Sequence, residues 1–245
     1  MIIGGKDLLN GKRFDKGGYI LTYDYDKWSF IDPKEAQKKL NLPRNPRDYT
    51  SIAVTTDDSN DEIVYASSMG DGVIQYKNGT PVQSYNEKNA FKETAGGYGS
   101  GYCYIDGLAF DKNGNLWMTS SEVNHAVLVL DKAGAWHRLD IEQLRGVYTI
   151  NDILITSTND KWIYVPRNTP KLVMIPNSES LDEVSSYEFT TLIDTDGKEL
   201  TPSNYTCVAE DKDGYIWVGT NRGAVYFTKP RISSAEDKAA TRCTR

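Results

Sequence analysis

The feature that most restricts this chain is an internal repeat: an apolar strand, a short acidic turn and a second apolar strand, at fixed spacing. Cys207-Val-Ala-Glu-Asp-Lys-Asp-Gly-Tyr-Ile-Trp-Val-Gly-Thr220 is one copy and Leu108-Ala-Phe-Asp-Lys-Asn-Gly-Asn-Leu-Trp-Met-Thr119 another. Ala209 and Trp217 are eight residues apart, and so are Ala109 and Trp117. A third copy runs from Ile153 to Tyr164, with Ile155 and Ile163 again eight apart. A fourth spans Ala53 to Val64, which are eleven apart, with three extra residues assigned to the turn Asp57-Asp-Ser-Asn-Asp61. The second-strand anchors read from this alignment are Val64, Trp117, Ile163 and Trp217. A repeat of this kind is one supersecondary unit that buries its faces only against its neighbours.

Each interval between anchors has room for more than a hairpin. After Trp117 come Ala126-Val-Leu-Val-Leu-Asp131, the turn Lys132-Ala-Gly134 and Trp136-His-Arg-Leu139; after Val64 come Gly72 to Tyr76, Lys77-Asn-Gly79 and Pro81 to Tyr85. Four short strands per ~50 residues, joined by glycine-bearing hairpin turns, describe a blade of a propeller. The expected fold is therefore an all-β β-propeller of four-stranded antiparallel blades, near 50–85, 105–141, 151–193 and 204–228. Gly18–Tyr23 and Lys27–Ile31 add a partial blade over 17–32, and residues 231–245 carry no strand pattern. Three whole blades with a partial blade at each end make an arc of a larger propeller, or a small ring closed by its two ends. Helix is expected only at Pro33–Leu40 and, as a single turn, at Ile141–Leu144.

The line Asp211-Lys-Asp-Gly-Tyr-Ile-Trp-Val-Gly-Thr-Asn-Arg-Gly223 resembles the two-component-regulator propeller repeat, D-x-x-G-x-[IL]-W-[VI]-G-T-x-x-G, and Gly107 to Thr119 is a second good match. The order of the four copies over about 17–230, including Gly4-Gly5, Val64 to Val73, Trp162 and Gly223, is similar to the second propeller of PorZ-like proteins of type IX secretion. That resemblance implies a periplasmic or cell-surface location and a section of a longer protein. It also implies protein subunits of a surface complex, or surface polysaccharide, as partners. The same repeat forms the sensor half of hybrid two-component regulators.

Composition removes several alternatives. A net charge of −6 and a pI near 5.1, without a long basic run, argue against a nucleic-acid partner, because phosphate neutralisation needs clustered Lys and Arg. No apolar stretch approaches the ~18–20 residues of a membrane span. The start, Met1-Ile-Ile-Gly-Gly-Lys6, lacks the basic flank and apolar core of a signal peptide. Cys103, Cys207 and Cys243 are too few for a disulfide framework.

Chemistry-bearing groups are sparse. The turns Asp111–Gly114 and Asp211–Gly214 have two candidate ligands each and no distal Glu, so they read as hairpin turns rather than calcium loops. The Gly-rich stretch 96–101 lacks the strand before and helix after it that a phosphate cradle needs. His125 and His137 are the only histidines, and neither sits in a metalloprotease or nucleophile-elbow motif. No cofactor, metal or catalytic residue is expected. One constellation remains: three residues before the first-strand anchors stand Thr50, Asp106, Asp152 and Thr206. Equivalent positions in a ring make an arc at the channel mouth, where two carboxylates can hold a ligand hydroxyl or a cation. Their alternative role is to satisfy backbone amides of their own turns. The expected function is a non-catalytic binding or scaffold module; the alternatives are a ligand-sensing propeller, and a propeller lyase or lactonase.

Overall fold

Five tight turns of one geometry frame the chain. In each, the first residue donates its N–H to the carbonyl four residues on and accepts from the N–H three residues on: Asp57, Asp111, Asp131, Thr156 and Asp211. The fourth position requires a left-handed backbone, filled by Gly114 (φ 83°), Gly134 (φ 88°) and Gly214 (φ 82°), or by Asn60 (φ 62°) and Asn159 (φ 66°). Asn tolerates that region because its short polar side chain bonds locally. Side-chain carboxylates tie the turn together: Asp111 Oδ1 accepts from the N–H of Asn113 and Asn115, and Asp211 Oδ1 from those of Asp213 and Tyr215.

Between these turns the chain runs as short antiparallel strands. The computed structural model describes residues 1–3, 5, 12–91, 101–182, 184–193, 197–228 and 241–242. A three-stranded N-terminal sheet consists of β1 (Ile2–Ile3), β2 (Tyr19–Asp24) and β3 (Lys27–Ile31). Helix α1 (Pro33–Leu40) follows, started by Asp32 accepting from the Lys34 N–H and ended at Asn41 (φ 51°). Blade 1 is β4 (Tyr49–Thr56), β5 (Glu62–Gly70), β6 (Gly72–Lys77) and β7 (Thr80–Tyr85). Blade 2 is β8 (Cys103–Phe110), β9 (Leu116–Ser120), β10 (Val127–Leu130) and β11 (Trp136–Leu139). Blade 3 is β12 (Ile153–Ile155), β13 (Lys161–Val165), β14 (Lys171–Ile175) and β15 (Tyr187–Phe189). A small hairpin, β16 (Leu192–Ile193) with β17 (Glu199–Leu200), leads to blade 4: β18 (Tyr205–Glu210), β19 (Ile216–Thr220), β20 (Gly223–Phe227) and β21 (Thr241–Arg242). The chain is an all-β section of a propeller. Two findings differ from the sequence reading at the ends. Ile2–Ile3 adds a strand to the first sheet, and Thr241–Arg242 pairs with β20 inside a stretch read as irregular.

The register corrects two anchors. Ala109 faces Trp117 and Ala209 faces Trp217, as expected, but in blade 3 Leu154 faces Trp162, and in blade 1 Thr55 faces Ile63. All four copies therefore have the same eight-residue spacing, and the Asp57 turn has no insertion. Val64 and Ile163 are each one residue out of phase, and in a strand one residue reverses the face. Ile63, Trp117 and Trp162 face the following blade, whereas Val64 packs towards the N-terminal sheet and Ile163 towards blade 2.

Cores lie between sheets rather than inside one. Ile63, Leu108, Met118 and Leu128 fill the seam of blades 1 and 2; Trp117, Val129, Ile153 and Val173 that of blades 2 and 3; Trp162, Met174, Val218 and Phe227 that of blades 3 and 4. Ile20, Ala36, Tyr49 and Ile74 join the N-terminal sheet and α1 to blade 1. Strand β5 also overruns its blade to pair with β8 (Met69↔Tyr104, Gly70↔Cys103), so blades 1 and 2 form one eight-stranded sheet.

Candidate functional site: the inner mouth of the arc

Three of the four innermost strands, β4, β8 and β18, share an irregularity at the end where they enter their blades. The ladder skips Thr50 between Tyr49 and Ser51, skips Thr206 between Tyr205 and Cys207, and shifts across Asp106–Gly107. Asp152 stands immediately before β12. Thr50, Asp106 and Thr206 thus stand at irregularities of their inner strands, whereas Asp152 precedes a strand whose pairing is regular; with the first-strand anchors corrected to Thr55 and Leu154, the positions equivalent in spacing to Asp106 and Thr206 are Ile52 and Asn151. Bulges re-aim side chains and end regular pairing, which is why they recur beside binding sites.

The four side chains do different things there. Thr50 is bound into the seam: its Oγ1 donates to the Ile105 carbonyl at 2.7 Å and pairs with Ser67 Oγ at 2.9 Å. Asp106 is buried; Ser121 Oγ donates to its Oδ2 at 2.8 Å, and the Tyr104 hydroxyl bonds it too. Asp152 is exposed, its Oδ1 accepting from the Ile153 N–H at 3.0 Å, and Thr206 is exposed beside Cys207. The two carboxylates do share a neighbourhood. Tyr164 has its pKa pushed up to about 12, chiefly by burial; Asn151, donating to its oxygen at 2.9 Å, works against this, and the charges of Asp152 and Asp106 add to it. Burial, followed by the Asp106 charge, holds the Tyr104 hydroxyl far above the ordinary phenol range.

Close approach of blades 2 and 3 makes this arrangement possible. A Cβ on Gly107 would lie 2.6 Å from the Ile153 nitrogen and 2.8 Å from Asp152 Oδ1, so only glycine lets Asp152 reach the wall of blade 2. Hydroxyls complete the seam: Ser67 Oγ donates to the Asp106 carbonyl (3.0 Å) and Thr119 Oγ1 to the Asn151 carbonyl (2.9 Å). Ser121 Oγ accepts from the Ile150 N–H at 2.8 Å, so one serine links the Asp106 carboxylate to blade 3. The mouth therefore has a base of buried Tyr104, Asp106 and Tyr164 with half-buried Thr50, and exposed Asp152 and Thr206. Spacing alone could not find Tyr104, Ser121, Asn151 and Tyr164, because their roles arise from contacts across blades. The one available signal was a run of hydroxyl residues, Thr119-Ser-Ser121, at the end of an apolar strand.

The other sequence candidates resolve into structural roles. Asp111 receives four N–H donors: Asn113 and Asn115 backbone on Oδ1, Asn115 Nδ2 and Trp117 Nε1 on Oδ2, the last at 2.9 Å. Asp211 repeats this with Trp217 Nε1 at 2.7 Å, and that bond is the largest cause of its lowered pKa. In blade 3 the turn begins with Thr156, and buried Trp162 Nε1 has no acceptor among the described residues. His137, on the outer strand of blade 2, lies 2.9 Å from Asp131 and 3.9 Å from Asp182, beside a cleft of about 700 Å³. Among the described residues no three His, Cys, Asp or Glu side chains are grouped to hold a metal ion. Of the Gly-rich stretch only Gly101 is described; 96–100 lie outside the described residues.

Comparison with known proteins bears on the repeat and the fold. Residues 199–222 match the family model of the two component regulator propeller. The chain carries that repeat. It is also similar over 93% of its length, with a TM-score of 0.78 and 21% identity, to PorZ, described as an essential surface component of the type-IX secretion system of Porphyromonas gingivalis. The extracellular domain of BT4673 from B. thetaiotaomicron, a candidate hybrid two component system, matches over 92% of the chain at a TM-score of 0.54 and 16% identity. A candidate gluconolactonase matches over 94% at a TM-score of 0.51 and 11% identity. These likenesses establish the propeller fold. The chain spans 31% of the PorZ chain and 28% of the BT4673 chain. A comparison with curated proteins finds no match. Among the described residues no helix is long and apolar enough to cross a membrane.

Proposed function

We propose that this propeller section is a non-catalytic binding module of a periplasmic or cell-surface protein, engaging its partner at the inner mouth. One observation carries the reading: Thr206, at the irregularity of β18, and Asp152, immediately before β12, are exposed beside a base that is buried and cross-bonded between blades. A rigid base with a few exposed polar groups suits recognition, since little side-chain freedom is lost on contact. An exposed carboxylate and hydroxyl together favour a hydroxyl-rich ligand, such as a surface polysaccharide, over an anionic one. The likeness to PorZ supports the surface setting, and that to BT4673 supports an extracellular one.

The non-catalytic reading rests on the positions of the candidate groups. His137 is on an outer strand between two aspartates, away from the mouth, and Asp106 is bound by Ser121 and Tyr104. The test is calorimetric titration with neutral and acidic polysaccharides, using the wild-type chain and Asp106→Asn/Asp152→Asn. Binding of a neutral polysaccharide that weakens roughly tenfold or more in the double variant, by the loss of charge-assisted hydrogen bonds, supports the site. Binding left unchanged by the double substitution removes it.

A further inference from the structure

At the end of each seam away from the mouth, the tight turns of neighbouring blades are tied together in two cases and not in the third. Between blades 2 and 3, the Lys112 N–H donates to Asn159 Oδ1 at 3.0 Å and the Lys112 ammonium to the Ser157 carbonyl. Between blades 3 and 4, the Ser157 N–H donates to Glu210 at 2.6 Å. Blade 2 has Gly114 where blade 3 has Asn159, and Phe110 where blade 4 has Glu210, so it offers blade 1 no bonding group there. Among the described residues no hydrogen bond or ion pair joins the Asp57 turn to blade 2. A cleft of about 560 Å³ opens instead, walled by Ile63, Tyr65 and Lys77 of blade 1 and by Phe110, Leu116 and Leu130 of blade 2. Both walls lie between other sheets of the chain, in described residues.

The other two seams show what is missing. Trp117 stands opposite Val129 on β9 and β10, and Trp162 opposite Met174 on β13 and β14; the two indoles fill the seams with blades 3 and 4. The equivalent pair of blade 1 is Ile63 and Lys77, so the cleft lies where the other seams hold an indole. The polar partners of such a ring are still in place. Trp117 donates its N–H to Asp111 Oδ2, which also accepts from Asn115 Nδ2. Asp57 begins the equivalent turn and lines the cleft; its Oδ2 accepts from the Lys77 ammonium at 2.7 Å and has capacity for a second donor. The Trp117 ring lies 4.4 Å from the Lys161 ammonium, and Lys77 brings a cation to the cleft in the same way. Tyr65 and Phe110, edge to face at 5.9 Å, add aromatic surface to the walls.

We propose that the cleft between blades 1 and 2 is a binding site for a small planar aromatic compound carrying a ring N–H, which takes the place that an indole side chain has in the other two seams. The volume suits a small molecule. A ring of this kind gains apolar contact with both walls, a carboxylate acceptor at Asp57 and a cation at Lys77. The site is separate from the mouth, since Thr50 and the Asp57 turn stand at opposite ends of β4.

Indole is the probe, titrated into the methyl-labelled 245-residue chain and followed by nuclear magnetic resonance. Indole is expected to bind and to shift the methyl signals of Ile63, Leu116 and Leu130. Benzofuran, with an oxygen in place of the N–H, is expected to bind about tenfold more weakly or worse, having lost a hydrogen bond to a charged acceptor. Ile63→Trp fills the cleft from within and is expected to lose indole binding while its urea midpoint rises. Should that variant not fold, the wild-type methyl shifts and the benzofuran comparison decide. No binding of indole at millimolar concentration overturns the proposal, as do shifts confined to other methyls, equal binding of benzofuran, or a folded Ile63→Trp that binds indole unchanged. Binding of the tripeptide Gly-Trp-Gly without binding of free indole also overturns it, and assigns the cleft to a polypeptide partner.

Discussion

Replacing Trp117 by Phe and, separately, Trp162 by Phe should destabilise the chain by unequal amounts, although both indoles are almost wholly buried at equivalent positions. Trp117 donates its N–H to the Asp111 carboxylate at 2.9 Å, and hydrogen bonds to charged groups contribute about 1.5–3 kcal/mol. Its ring also lies 4.4 Å from the Lys161 ammonium, a contact that weakens when indole becomes phenyl. Trp162 has no acceptor for its N–H among the described residues, and leaving a buried donor unpaired costs about 1–3 kcal/mol, which Phe removes. The lost ring volume is the same in both variants, so the difference isolates the polar term. Trp117→Phe should be the more costly by at least about 2 kcal/mol, or about 4–8 °C in Tm for a chain of this size. Urea and thermal unfolding of both variants provide the comparison. Equal losses, or a larger loss for Trp162→Phe, would show that the Asp–Trp bond is not what distinguishes the blades.

Gly107→Ala forces a methyl to within 2.6 Å of the Ile153 nitrogen and should cost about 1–3 kcal/mol as blades 2 and 3 separate, read from the urea midpoint. Acid should weaken the turns: Asp57, Asp61 and Asp211 have pKa values below 3.8, set first by Lys77 for the first two and by Trp217 for the third. A depressed carboxylate stabilises the fold above its unfolded pKa and loses that effect as pH falls through the folded one. Melting temperature should therefore stay level above pH about 4 and decline below it, with Asp211→Asn flattening the decline. In alkali the sign reverses, because Tyr76, Tyr102 and Tyr164 are raised to about 12, in each case mainly by burial. Stability is full below pH about 10 and lost between there and 12, so phenolate absorbance should appear together with loss of circular dichroism, not before it.

Much of the fold was legible because a few residues carry strong local rules. Asp32 followed by Pro33 fits a helix start, a carboxylate cap before proline at the first position, and α1 has the bounds this implies. Asp-x-x-Gly turns set the frame of blades 2 and 4. The frame slipped in blades 1 and 3 because Asn60 and Asn159 take the left-handed position that Gly114 and Gly214 occupy elsewhere. Aligning those asparagines with the glycines gives the eight-residue spacing in all four copies and puts Ile63 and Trp162 on the correct face. Asp152 precedes a regularly paired strand, but the place of Thr50, Asp106 and Thr206 near the entry of the inner strands was readable from spacing. Which of them turn inward was not, since Ser121, Tyr104 and the absent side chain of Gly107 decide it from other strands. Strands as short as Thr241–Arg242 contain no period to read.

The ladder shared by β5 and β8 has a mechanical consequence. Blades 3 and 4 share no strand pairing with their predecessors: apolar side chains fill those seams, with isolated main-chain bonds such as that from the Tyr205 N–H to the Pro166 carbonyl. Blades 1 and 2 cannot part without breaking main-chain pairing as well. Pulling the molecule apart should therefore separate that pair last.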